Sequence, residues 1–226
     1  MRSCPEVATY FAAFRRYVLE PRAMVDVASP TSALGEHGEG FPGFLDRLQN
    51  KAPDAFEALQ DQVRAAFPRV RYVRTPAAGS DKRELAIVER GSTKPIFGPQ
   101  LSDGLLLLIG YLALAFSPHE APSMLMLDEP EMGLHIDRSA ALVDLLRGLS
   151  QGRFGHPVQV IITTHSPDIV DFLEPEELVV FERDDRGVHA QRLAEVKDIK
   201  KRFRGYNLGE YWSSYGEVGL LRGEAK

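Results

Sequence analysis

Two adjacent carboxylates, Asp128 and Glu129, stand directly after the apolar run Met124-Leu-Met-Leu and directly before Pro130. An uninterrupted apolar run suits a strand buried on both faces, as in a parallel sheet covered by helices. Such strands present their chemistry at their carboxyl ends. Two charges at the lip of a core strand are costly unless something compensates them. A divalent metal or a reacting phosphate would do so. The alternative is a strand end that turns to solvent on polar residues.

A second apolar run, Val158-Gln-Val-Ile-Ile-Thr-Thr164, ends in His165-Ser166-Pro167-Asp168. Ser166 as N-cap and Pro167 at the first helical position make a sharp strand-to-helix turn. His165 is thereby set at another strand's carboxyl end, as a functional or a structural histidine. A third stretch, Leu101-Ser102-Asp103-Gly104, precedes the apolar segment Leu105 to Phe116. Ser102 suits an N-cap. The free amides after it, with the helix dipole, favour an anion, and Gly104 lets a phosphate approach closely. An ordinary capped helix accounts for the same residues.

The elements that must position these groups follow from periodicity. Residues 6 to 19 carry Val7, Tyr10, Phe11, Phe14 and Val18 at helical spacing, limited by Pro21. Residues 28 to 43 are loop, rich in glycine, serine and proline; no Gly-Lys-Ser/Thr follows those glycines, so they read as a connection. Phe44 to Phe67 is helical, with one apolar patch at Phe44, Leu45 and Leu48 and another at Phe56, Leu59, Val63 and Phe67. Arg69 to Arg74 and Arg83 to Arg90 alternate as an antiparallel pair, with Arg69, Arg71 and Arg74 on a solvated side. The segment from Leu105 is apolar nearly all round and so deeply buried. Glu177 to Glu182 and Val188 to Leu193 make a closing hairpin. A basic and aromatic tail holds Lys197, Lys200, Lys201, Arg202 and Arg204, then Leu208-Gly-Glu-Tyr-Trp212.

The fold expected is α/β, with a mainly parallel core sheet flanked by helices and preceded by a helical and β-hairpin portion. Three regions result: 1–96, 97–195 and 196–226.

Composition narrows the class. Of 226 residues, 44% are hydrophobic, enough for a substantial core, and the formal net charge of −5 excludes a wholesale polyanion binder. The lone cysteine, Cys4, permits no internal disulfide and fits a reducing compartment. No apolar leader block is present at the N-terminus. The reading is a soluble, cytoplasmic protein.

Taken together and in order, Leu101-Ser-Asp-Gly104, Leu127-Asp-Glu-Pro-Glu131 and Thr164-His-Ser-Pro167 resemble the second half of ABC-like ATPases of the RecF and SMC type. More narrowly, they look like the predicted AAA-type ATPases of bacterial repair and defence loci. The Gly-Glu-Gly-Phe loop and the Leu-Gly-Glu-Tyr-Trp tail are similar too.

The resemblance implies a P-loop NTPase-like lobe that binds and hydrolyses ATP with Mg²⁺ at a dimer interface. Leu101, Ser102, Asp103 and Gly104 would form the signature loop that binds the γ-phosphate held by the opposite subunit. Asp128 would be the Walker B aspartate that holds the metal, and Glu129 the carboxylate that positions the attacking water. His165 would be the switch histidine that senses the γ-phosphate. Met132 to His135 falls where the D-loop crosses the interface.

The sequence departs from that pattern at Asp103, Leu105 and Ile136. Its largest departure is that no Gly-x-x-x-x-Gly-Lys-Ser/Thr occurs. The expectation is a Walker A lobe supplied elsewhere, upstream or on a partner chain, with a homodimer as the other assembly and nucleic acid or a nuclease as further partners. Two other readings stand beside this one. One is an interaction module that does not hydrolyse ATP. The other is a metal-dependent nuclease using Asp128, Glu129, Glu131 and His165.

Overall fold

A computed structural model describes residues 13–117, 122–154, 157–185, 187–203 and 206–222, with backbone alone at 136, 184, 200, 202, 217 and 218. Cys4, Gly155, Arg204 and the first part of the expected N-terminal helix lie outside the described residues.

The apolar run ending at Asp128 forms strand β5 (Met124–Asp128). It is the middle strand of a parallel sheet, between β1 (Phe14–Tyr17) and β6 (Gln159–Thr163). Leu125 and Leu127 are 2% and 1% exposed, as a parallel core strand requires. The register places Arg16 beside Met126, Met126 beside Ile161, and Asp128 beside Thr163. Side chains alternate along a strand, so Arg16, Met126, Asp128, Ile161 and Thr163 share one face.

The helical spacing expected over residues 6 to 19 does not hold at Phe14–Tyr17, which is strand. Four residues gain little from an isolated helical turn, whereas pairing with β5 satisfies their backbone groups in the sheet. Tertiary context overrides the local period.

The loop expected at 28–43 runs to Gly40, after a short helix α1 (Pro21–Met24). Two helices follow, α2 (Phe41–Lys51) and α3 (Pro53–Ala66), with Pro53 at the first helical position and Pro68 beyond the end. Their apolar faces bury Phe44, Leu45, Leu48, Phe56, Leu59 and Val63. The antiparallel pair is present as β2 (Val70–Arg74) and β3 (Ala86–Glu89), extended by β4 (Pro95–Phe97). Arg71 and Arg74 are exposed and lie over the Tyr72 ring at 4.8 and 5.0 Å.

Side chains tie this sheet to the helices. The buried Gln60 accepts the amide of Val73 at 3.0 Å. Arg83 donates to Asp46 at 2.9 Å. Helix α4 (Asp103–Ala115) is buried at every position from Leu105 to Ala115 except Leu108. A side chain at Gly110 would sit 2.7 Å from Met24 Cε, so glycine there permits the close α1–α4 crossing.

The remaining elements are α5 (Ser139–Ser150), α6 (Pro167–Val170), the hairpin β7 (Val179–Asp184) and β8 (Gly187–Arg192), α7 (Ile199–Arg202) and α8 (Leu208–Arg222). The chain divides into two compact units, one of 1–135 with 144–163 and one of 136–143 with 164–226. The second unit has its own core of Val170, Leu193, Val196, Ile199, Leu208, Tyr211 and Leu220. Within it, Asp171 accepts the amide of Gly209 at 2.6 Å and so caps α8. Among the described residues no helix is long and apolar enough to cross a membrane.

Candidate functional site

Asp128 closes β5, and each of its two carboxylate oxygens has a donor. The hydroxyl of Thr163, the facing residue on β6, donates to Oδ1. Arg16 Nη2 donates to Oδ2 at 2.7 Å, and Nη1 of the same guanidinium donates to Glu36. Arg16 and Asp128 have side chains 41% and 36% exposed, so this pair contributes at most about 1 kcal/mol. Glu36 is held beside β1 because its carbonyl accepts the amide of Val18 at 2.9 Å.

Glu129 turns the chain off the strand. Its φ is +44°, the left-handed region that a residue with a Cβ rarely occupies. Its amide donates to the Thr163 carbonyl at 3.0 Å and lies 3.3 Å from the Thr163 hydroxyl. A single β6 residue therefore holds the Asp128 carboxylate through its hydroxyl and the Glu129 backbone through its carbonyl. Strain of this kind costs about 1–3 kcal/mol and collects at functional sites. The turn continues with Met132 donating to the Glu129 carbonyl and Leu134 to that of Glu131, and Gly133 holds φ at +86°.

That turn meets the start of α4. A Cβ added at Gly104 would lie 3.5 Å from the Gly133 carbonyl oxygen, and one at Gly133 would lie 3.6 Å from Asp103 Cβ. The Leu101–Gly104 stretch thus packs against the turn that follows Glu131. Ser102 occupies the N-cap position but makes no side-chain capping bond, and Leu105 and Leu106 donate to its carbonyl at 3.1 Å each. The exposed hydroxyl and the amides of Asp103 and Gly104, which precede the first intrahelical bond, are donors suited to an anion. Leu101 is half-buried, its amide tied to Gly98 at 2.9 Å.

On the same helix Tyr111 is 4% exposed. Burial pushes its hydroxyl well above the ordinary value of 10, and the nearby charge of Glu131 pushes the same way. His165 belongs to the second unit and is exposed. Its turn has the expected form: Ser166 at the N-cap of α6, Pro167 first in the helix, and the Ser166 amide donating to the Thr164 hydroxyl at 3.0 Å.

Among the described residues no three His, Cys, Asp or Glu side chains converge so as to hold a metal by themselves. The Asp128 carboxylate and Thr163 hydroxyl are hard oxygen groups. They fit a magnesium ion whose remaining ligands are phosphate oxygens and water, the usual arrangement for that ion.

Thr163, Arg16 and Glu36 escaped the sequence reading. A hydroxyl residue ending the second apolar run was a signal for Thr163. The β5–β6 register that aims it at Asp128 is a tertiary fact. Arg16 was obscured by the helical reading of its segment.

A solved structure from work described as "Structural biochemistry of ATP-driven dimerization and DNA stimulated activation of SMC ATPases" is similar to this chain at 12% identity. It covers 65% of this chain and 88% of its own, with a TM-score of 0.48. No curated protein matches the chain. Residues 14–171 match the model of a family described as "AAA domain, putative AbiEii toxin, Type IV TA system". That span runs from β1 through Leu101–Gly104 and the Asp128–Glu129 tip to the His165 turn, and the chain belongs to this AAA-domain family.

Proposed function

We propose that this chain supplies the signature, metal-carboxylate and water-orienting parts of an ATP-hydrolysing site whose phosphate-binding loop comes from another lobe. The observation that carries the reading is the double grip of Thr163 on Asp128 and Glu129 at the carboxyl end of a central parallel strand. Phosphoryl transfer asks for positioned charge rather than covalent chemistry, and this tip sets the held carboxylate of Asp128 beside Glu129, whose backbone is fixed and strained.

Bound Mg²⁺ supplies neutralisation of charge on the transferring phosphate. Asp128 would hold that ion from the end of β5. Glu129 accepts a hydrogen bond from the attacking water and holds it in line. Ser102, with the amides of Asp103 and Gly104, donates to a γ-phosphate presented by an opposite subunit. His165, on the second unit, is assigned the γ-phosphate-sensing role of a switch histidine. Met132 to His135 lies at the subunit boundary, either of a homodimer or of a pairing with a Walker A-bearing chain.

The sheet supports a lobe supplied from elsewhere. Among the described residues β6 pairs with β5 alone, and Ile161 on its sheet face is 39% exposed. An unpaired strand edge is a template for further pairing, so the open edge of β6 offers a seat for a further parallel strand carrying the phosphate loop. The test is steady-state ATP turnover by the chain alone and mixed with a lobe bearing Gly-x-x-x-x-Gly-Lys-Ser/Thr. Background turnover alone and at least a tenfold rise with the lobe is expected. An equal rate in both settings would overturn the shared-site reading.

A further inference from the structure

We infer that Arg16 is a gate on the metal carboxylate: its guanidinium occupies Asp128 until a divalent cation arrives, and Glu36 retains it afterwards. The inference rests on the reading of Asp128 as the metal carboxylate.

The geometry is specific. Arg16 pairs in register with Met126, two residues before Asp128 on the same sheet face. From there Nη2 reaches Asp128 Oδ2 at 2.7 Å while Nη1 holds Glu36. One planar fork thus bridges two carboxylates on separate segments, a geometry that arginine supplies and lysine does not. The Oδ2 atom it occupies is the oxygen left over after Thr163 has taken Oδ1. A cation reaching Asp128 must therefore displace Arg16 or share this oxygen with it.

The displacement is feasible. Arg16, Asp128 and Glu36 have side chains 41%, 36% and 44% exposed, so water and ions reach the pair. On leaving Asp128 the guanidinium keeps its bond to Glu36, and Glu36 is itself anchored through its carbonyl to the Val18 amide. Like charges repel, so a guanidinium within a few ångströms of a divalent ion lowers that ion's affinity by about tenfold in a water-like environment. Arg16 therefore protects the carboxylate from adventitious binding.

The test is a titration of the full chain with Mn²⁺ alone, followed by paramagnetic broadening of the backbone amide signals of Met126, Leu127 and Glu129. Arg16→Gln should lower the midpoint Mn²⁺ concentration about tenfold. Arg15→Gln makes the same charge change on the opposite face of β1 and should move the midpoint less than twofold. Arg16→Lys keeps the charge but loses the fork, and should fall between wild type and Arg16→Gln. Adding Asp128→Asn to Arg16→Gln should erase the gain. Equal midpoints for Arg16→Gln and Arg15→Gln would overturn the gate and leave the metal role of Asp128 standing. Broadening indifferent to Asp128→Asn would overturn both.

Discussion

The amide of Glu129 donates to the carbonyl of Thr163 at 3.0 Å, and Glu129 is held there at a φ of +44°. The bond crosses from the tip of β5 to β6 and fixes the direction in which the chain leaves the sheet. The strain is local and should be measurable. A left-handed residue with a Cβ pays about 1–2 kcal/mol, part of which a glycine returns through its more flexible unfolded state. Glu129→Gly should therefore raise the free energy of unfolding by roughly 0.5 kcal/mol in urea denaturation, and Glu129→Gln should leave it unchanged. A clear loss of stability in Glu129→Gly would show that the positive φ carries no strain.

Thr163 contributes through its hydroxyl as well. Thr163→Val keeps the shape but removes the donor to Asp128, and should cost about 1 kcal/mol at this half-exposed carboxylate. Thr163→Ser keeps the donor and should cost less. If the serine variant is as unstable as the valine one, the methyl group rather than the hydrogen bond is what matters.

The contact between the start of α4 and the turn after Glu131 makes two glycines behave oppositely. Gly133 has φ of +86°, and an added Cβ would lie 3.1 Å from Leu107 Cδ1. Gly133→Ala should destabilise by about 1–2 kcal/mol. Gly104 lies in the first turn of α4 with only ordinary contacts, at 3.5 and 3.8 Å, awaiting a side chain. Gly104→Ala should be neutral or stabilising by up to about 1 kcal/mol. Thermal melts of the two variants side by side decide this, and a reversed order would contradict the packing described.

Tyr111 gives the fold an alkaline sensitivity. Its folded pKa is raised by burial and then by Glu131, so the folded state holds the proton more tightly than the unfolded chain. The contribution is fully present below the ordinary value of 10 and is lost as pH rises through the folded value. The melting temperature of the wild type should fall more steeply between about pH 9 and about pH 11 than that of Tyr111→Phe. Parallel pH profiles would place the hydroxyl in contact with solvent.

Much of this architecture was readable in the amino-acid sequence because long periodic segments override local detail. The α2–α3 faces, the buried α4, the β2–β3 pair and the β7–β8 hairpin all follow from apolar spacing and turn residues. So do the apolar strand before Asp128 and the Ser166-Pro167 helix start. Short elements were harder. Phe14–Tyr17 carries two arginines in four residues and becomes a strand because β5 lies beside it. Pro95–Phe97 is too brief to show a period. Ser102 was legible as the N-cap, whereas the absence of its side-chain capping bond was not. At the site, Asp128 and Glu129 were evident from their place after an apolar run. The partners that grip them, Thr163 and Arg16, come from residues 35 and 112 positions away, a separation that only strand register resolves.

In the proposed site Glu129 orients a water aimed at ATP. The decisive measurement is the identity of the nucleotide retained by the chain beside a phosphate-loop lobe, with Mg²⁺ and ATP, in wild type and in Glu129→Gln. The wild type should release ADP and phosphate over successive turnovers, and the variant should retain unhydrolysed ATP with turnover reduced at least a hundredfold, about 2.7 kcal/mol in the barrier. Hydrolysis at an undiminished rate in Glu129→Gln would contradict it.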